Sequence, residues 1–522
     1  MSATMTPYRS ELPVTRDSFA QLALAEFTKL RTVRGWIAGL IIGALLIFGI
    51  GFLSAAGSHQ GCRTPDGRIC ASQIPLIGPN GQAVTDSFYF VHQQLTGDGS
   101  ITTRVTSVGE QVMRADAGGN PDDPSSWQSG VVPWAKAGLM VKLNTTQGSP
   151  YVAIMATASH GVRMQYNFTH DVAGSATVVT KATPRWLRLT RSGNSVTGYE
   201  SADGTAWVKV GAATLAGPPS SVQAGMFVAS PDHTVTTNIV VGTSTEGGPA
   251  KATATFDDVN FQSQSPGTWQ GTRIGGGGIG ALPPFTQSGG IFTITGSGDV
   301  GPIGSDGGDD NTISGSLIGV FVGLMAMVVI GALFITAEYR RGLIRTTLTA
   351  SPRRGRVLAA KAVVLGGVVF VLGFAVSAFT MWFVDRQRRN NGTYIVRASS
   401  LTEIRVLVGT AALLAVSSIL AIAVGTIVRR SATAVAAVIA LMILPYILAV
   451  SSVGAMQWLL RVTPTAGFAV QQTLHRYPQV DGTYIASAGY YPLSASQGFG
   501  VLLGWTAVAL GLATFLLRRR DA

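Results

Sequence analysis

Residues 406–452 read VLVGTAALLAVSSILAIAVGTIVRRSATAVAAVIALMILPYILAVSS. Two apolar runs, Val406–Val428 and Ala432–Ser452, are parted only by Arg429, Arg430 and Ser431. Neither run contains Asp, Glu, Lys, Arg or His. At 1.5 Å of rise per residue, each is long enough as a helix to cross the ~30 Å hydrocarbon layer of a bilayer. So short a polar link makes them a tight helical hairpin. Pro445 kinks the second helix, which neighbouring helices tolerate.

Four more uncharged runs flank this hairpin: Trp36–Ala56, Gly315–Ala337, Ala362–Val384 and Gln497–Leu517. Charged residues make up 12 % of the 522-residue chain, about half the ~25 % usual for soluble domains. The net charge of +12 does not point to nucleic acid. Much of the excess flanks the apolar runs (Arg31, Arg34, Arg340 to Lys361, Arg429, Arg430, Arg518 to Arg520), where it suits lipid headgroups. The first run follows a leader too long for a cleaved signal peptide, so it reads as a retained anchor, although Ser54-Ala55-Ala56 resembles a cleavage site. Six spans put both termini on one side. The basic segments assign that side to the cytoplasm and residues 57–314 to the extracytoplasmic face of a plasma-membrane protein. Arg386, Arg388, Arg389, Arg397 and Arg405, in the 385–405 connection, dissent from that assignment. With no Asp, Glu, Lys, Arg or His inside a span, a transporter of this sequence draws its energy from outside the spans. Gly35, Gly39 and Gly43, with Gly319 and Gly323, read as close helix packing.

Between the first two spans the pattern changes. Cys62 and Cys70, the only cysteines, form a local disulfide in an oxidising compartment. They supply too few ligands for a metal site. From Val84 to Gln262 the hydrophobicity alternates with period two, as in KAGLMVKL, SPYVAIMAT and RWLRLTRS, with hairpin turns at Ser192-Gly193-Asn194 and Ala202-Asp203-Gly204. Residues 57–262 are expected to be an all-β sandwich. Residues 263–314, rich in Gly, Pro and Ser, are expected to be a linker with a β-hairpin near Gly290–Ser297. Gly275 to Gly280 lack the Gly-Lys-Ser/Thr ending of a phosphate loop. The segments at Trp134, at Trp186 and from Tyr199 to Trp207 resemble the concanavalin/laminin-G-like jelly roll, some of whose members bind or hydrolyse glycans. The three tryptophans are expected as core anchors rather than a sugar platform. Glu200 and Asp203 straddle a turn and match a paired-carboxylate site poorly. Asp257 and Asp258 are weak evidence for calcium.

The remaining signal is the basic loop at 338–361, two short helices around a Pro-containing turn. It resembles the first cytoplasmic loop of type 2 ATP-binding-cassette (ABC-2) permeases, through Glu338, Gly342, Arg345, Leu348, Pro352, Arg354 and Lys361. Residues 1–35 agree with that resemblance. Phe19, Ala23, Phe27 and Leu30 give one apolar face of an interfacial helix, and Ala25 to Arg31 resemble the family's opening segment. Residues 315–522 then carry the remaining spans. The resemblance implies a permease subunit of an exporter, with the loop coupling to a separate cytoplasmic ATPase that binds the ATP. A second permease chain would complete the pathway. This chain has no Walker A sequence and no evident catalytic set, so it needs no cofactor of its own. The alternatives are a membrane-anchored glycan-binding or sensory protein and, more weakly, a cell-surface glycosidase.

Overall fold

A computed structural model describes the chain except at residues 1–17, 59–75, 80, 115–121, 216, 218–219, 239–242, 265–266, 276–284, 304–312, 341, 344–352, 392–397, 452–455, 474, 481–485, 487–488 and 520–522. Cys62 and Cys70 lie outside the described residues, as do Arg345, Leu348, Pro352 and Arg397.

Among the described residues, six helices are long and apolar enough to cross a membrane. An amphipathic helix α1, Phe19–Thr32, comes first, and the spans are α2, Arg34–Gly57; α3, Gly319–Arg340; α4, Arg354–Asn390; α5, Ser400–Val428; α6, Ser431–Ser451; and α7, Ala495–Arg519. The protein is thus a helical membrane protein with a large antiparallel β region inserted after its first span. α5 is the most enclosed helix and packs on α3, α4 and α7. Ile41, Leu45, Val371, Phe379, Val508 and Leu512 point outward, as a lipid-facing surface requires. α2 and α3 approach closely. A Cβ built on Gly319 would stand 2.1 Å from the Ile47 carbonyl oxygen, and one on Gly323 2.1 Å from Ile47 Cγ1. Only hydrogen fits there.

The insert is two packed antiparallel sheets. One runs in the order β12 (Val208–Thr214), β11 (Ser195–Ser201), β10 (Arg185–Ser192), β4 (Gly99–Met113), β16 (Ala250–Gln262), β19 (Ile291–Gly296), β18 (Thr286–Ser288), with β5 (Trp127–Ser129) on β4. The other is β17 (Gln270–Ile274), β3 (Phe88–Thr96), β13 (Ser221–Ala229), β6 (Lys136–Lys142), β7 (Tyr151–Thr157), β8 (Val162–Tyr166), β9 (His170–Ala173). Smaller sheets join β1 (Leu76–Ile77), β2 (Ala83–Asp86) and β20 (Val300–Pro302), and β14 (His233–Asn238) with β15 (Thr243–Gly248). Alternate residues such as Ile101, Val105, Leu187, Leu189 and Phe256 fill the space between the main sheets. The far side of β3, β6, β7 and β13 is covered as well. There Phe88, Phe90, Met140, Tyr151 and Phe227 pack with Phe168, Ile274 and Val300.

Three expectations need correction. The 263–314 segment is not merely a linker, because it supplies β17 through β20 to the sheets, including the β18–β19 hairpin. Its short alternating runs gain stability only from partners distant in sequence. The Arg-rich 385–405 connection is largely helical: Arg386, Arg388 and Arg389 end α4, and Arg405 lies in α5. Arg388 is fully buried and donates to Ser54 Oγ at 3.2 Å, while Arg389 pairs with Asp385 at 2.8 Å. Intramolecular contacts therefore engage Arg388 and Arg389. Of the three tryptophans, only Trp134 is a core anchor, 2 % exposed and stacked on His160 at 4.0 Å. Trp186 and Trp207 line an external cleft.

Bundle and sandwich touch through the segment before α7. Gln479 is fully buried and donates to the Phe168 carbonyl at 3.3 Å.

Candidate coupling site

The site is built where α1, the end of α3 and the start of α4 converge. Ser18 and Gln21 close a capping box that starts α1. The helix turns a stripe of Leu22, Ala23, Glu26 and Leu30 toward the bundle. Of the four residues expected on the apolar face of an interfacial helix, Ala23 and Leu30 pack on the bundle, while Phe19 and Phe27 stay exposed. Glu26 is buried within the packed stripe. α3 ends where Gly342 adopts φ +68°, with its N–H directed to the Tyr339 carbonyl at 3.3 Å.

Four charged side chains meet here. Lys361 Nζ donates to Glu26 Oε2 at 2.7 Å and to Glu338 Oε1 at 2.6 Å. Lys29 Nζ lies 2.9 Å from Glu26 Oε1 and 3.3 Å from Glu338 Oε1. The charges balance, two against two, and Lys361 is 0 % exposed. The Lys361 ammonium also sits 4.9 Å from the centre of the Phe334 ring. Burial opposes the charge on Lys29, but hydrogen bonds and Coulombic attraction from Glu26 and Glu338 outweigh it. Its pKa therefore stands above the ordinary lysine value. In low dielectric, removing the fully buried Lys361 upsets this balance far more than removing the half-exposed Lys29. The cluster thus locks three segments into one unit.

Of the residues singled out in the sequence, Glu338 and Lys361 are joined directly, and Gly342 ends the helix that carries Glu338. Arg354 opens α4 and bonds the Leu517 carbonyl near the end of α7. Arg345, Leu348 and Pro352 fall outside the described residues. Glu26 and Lys29 were not singled out as site residues. A signal for them exists in the i, i+4, i+8 series Leu22, Glu26, Leu30, which sets an acid in an apolar stripe.

The β-sandwich acids expected to be poor catalysts are committed elsewhere. Glu200 Oε1 accepts from the Ser175 N–H at 2.6 Å. Asp203 accepts from the N–H groups of Thr205 and Ala206, which hold its pKa far below the usual range. Arg104 grips Asp257 with two bonds of 2.7 and 2.6 Å, so this carboxylate is already neutralised. At the sandwich end of the bundle, Ile50, Leu317, Phe321, Tyr446, Phe468 and Tyr491 surround an apolar cavity of about 260 Å³.

Fold and cluster define a polytopic helical membrane protein whose N-terminal helix, second span and third span are fastened together by buried charge. The family model described as "ABC-2 family transporter protein" matches residues 227–522. The chain belongs to this family, a membrane component of transport rather than a catalytic enzyme. No curated protein matches it. Part of the chain is similar to solved structures. One is a functionally unknown protein from Saccharomyces cerevisiae, at 15 % identity, covering 38 % of this chain and 85 % of that one, with a TM-score of 0.23. Another is scytalido-glutamic peptidase with a transition state analog inhibitor, at 9 % identity, covering 40 % and 98 %, with a TM-score of 0.25. At these scores the likeness carries no argument about activity.

Proposed function

We propose that this chain is the permease subunit of an ATP-driven exporter and takes its energy from a separate cytoplasmic ATPase docked at residues 338–361. In this reading both termini and that loop are cytoplasmic, residues 57–314 are extracytoplasmic, and two permease chains pair around one pathway. The observation that supports it best is the buried cluster of Glu26, Lys29, Glu338 and Lys361. It joins the helices on both flanks of the loop to α1. A push on the loop is then delivered to α3 and α4 together rather than absorbed by one helix end. Family membership supports an ATP-binding partner in general.

The test is co-purification in mild detergent from the native membrane, with detection of any ATP-binding-cassette ATPase that accompanies the chain, followed by ATP turnover in proteoliposomes. Binding together with stimulated turnover is expected, and the pair Glu338→Ala and Arg345→Ala should abolish the stimulation while both subunits remain folded. A chain that recruits no ATPase, or a double variant with undiminished turnover, sinks the reading.

A further inference from the structure

The outer face of the eight-stranded sheet holds a cleft of about 980 Å³, at the upper end of the ~300–1,000 Å³ range of small-ligand sites. Its floor is laid out by strand register. Across β10, β4 and β16, Trp186 faces Arg104 and Asp257; Arg188 faces Thr102 and Asn260; Thr190 faces Ser100 and Gln262. A bulge between Asp257 and Asn260 puts Asp258 at φ +48° and lifts it to the rim.

Arg188 is the group this floor prepares. Its Cζ lies 3.8 Å from the centre of the Trp207 ring, and its Nε donates to Thr102 Oγ1 at 3.0 Å. Among the described residues no carboxylate reaches it, because Arg104 takes Asp257, and Asp98 accepts from the Gly193 N–H at 2.6 Å. Its terminal nitrogens are thus oriented by a ring and a hydroxyl yet have no counter-ion. Around them stand neutral donors and acceptors. Ser100 Oγ donates to Gln262 Oε1 at 3.1 Å, which leaves the Gln262 amide hydrogens for a ligand.

We propose that this cleft binds an acidic oligosaccharide, with the Arg188 guanidinium holding a sugar carboxylate and Asn260, Gln262 and Thr190 bonding its hydroxyls. A planar, always-charged fork suits a carboxylate. A peptide strand is disfavoured because β10, β4 and β16 are central strands whose backbone groups are already paired, so strand addition has no free edge. Nucleic acid is disfavoured because Asp98 and Asp258 offset Arg188 and Arg191 in the lining, whereas polyphosphate recognition needs excess positive charge. The site stands independently of the transport reading, since none of its residues contacts the helices' charged cluster.

The experiment is calorimetry on the full chain in lipid nanodiscs, titrated with tetragalacturonate, with maltotetraose as the uncharged counterpart and with tetraglutamate. Tetragalacturonate should bind, and maltotetraose should bind at least about tenfold more weakly, as expected for loss of a charge-assisted pair. Arg188→Ala should lose about tenfold or more, and Arg188→Lys should lie between, because it keeps the charge but not the fork. Asn260→Ala, a second variant outside the Arg188–Trp207 stack, should weaken binding several-fold with an unchanged melting curve. Undetectable tetragalacturonate binding at millimolar concentration overturns the proposal. So does equal affinity in Arg188→Ala, equal affinity for maltotetraose, or tighter binding of tetraglutamate.

Discussion

Lys361 in the helical bundle and Lys142 in the sandwich are both 0 % exposed, and both are paired. Their settings differ. Lys361 meets two carboxylates carried by separate helices, α1 and α3, one of them 335 residues away in sequence. Lys142 meets Asp86 Oδ2 at 2.7 Å and the Ser149 carbonyl at 3.0 Å, under the rings of Phe88, Tyr151 and Phe168 at 5.9, 5.7 and 5.7 Å. All those partners belong to one folded β unit. The same costly chemistry thus joins separate helices in one place and stiffens a single scaffold in the other.

That contrast can be broken by truncation. Lys361→Ala should cost about 3–5 kcal/mol, because the two carboxylates of Glu26 and Glu338 would be left with the half-exposed Lys29 as their one cation. Lys142→Ala should cost a similar amount through Asp86. Melting curves in mild detergent measure both, and a loss under about 1 kcal/mol for either contradicts the stated burial cost. The sharper version replaces whole clusters with neutral groups of similar shape. Glu26→Gln, Glu338→Gln and Lys361→Met together should preserve the fold but uncouple partner ATP turnover. Asp86→Asn with Lys142→Met should preserve both. Equal turnover in the two sets would erase the functional distinction.

Next in size is the α2–α3 contact. Gly319→Val should destabilise the bundle by about 1–3 kcal/mol through overpacking against the Ile47 carbonyl, leaving the sandwich intact. A smaller effect is expected from pH. Burial lowers the Lys142 pKa below its ordinary 10.5, more than Asp86 restores it. The folded state therefore holds that proton less tightly than the unfolded chain. This group's contribution becomes more favourable as pH rises through the lowered value toward 10.5, and the sandwich variant Asp86→Asn with Lys142→Met should lack that slope when melting temperatures are compared. The smallest effect belongs to Lys29→Ala. Its side chain is 44 % exposed, so its loss should cost about 0.2–1 kcal/mol at low salt and less at high salt.

The spans were legible because a bilayer demands twenty-odd apolar residues in a row, and nothing else in the chain imitates that. Alternation exposed most of the sandwich for the same local reason. The hairpin at β19 was expected, but β17 and β20 escaped because each is short and set among glycines, and their pairing with β3 and β2 is invisible to a window of neighbours. Half of the buried charge cluster was legible, since Glu338 and Lys361 stand in a recognisable loop. Glu26 and Lys29 were not singled out: the acid in the apolar stripe of α1 is a faint signal, and a lone Glu-x-x-Lys on a helix looks like any solvated pair.

The sequence by itself determined six membrane crossings, an inserted β unit and a basic loop after the second span, all properties of contiguous residues. Only the tertiary structure decided which charges are buried together and that Arg388 is enclosed beside Ser54 rather than facing headgroups. It also decided that Trp186 and Trp207 line a cleft while Trp134 fills the core. The physical reason is common to all three. Burial of a charge or a ring depends on what packs against it, and here the partners come from segments far apart in the chain.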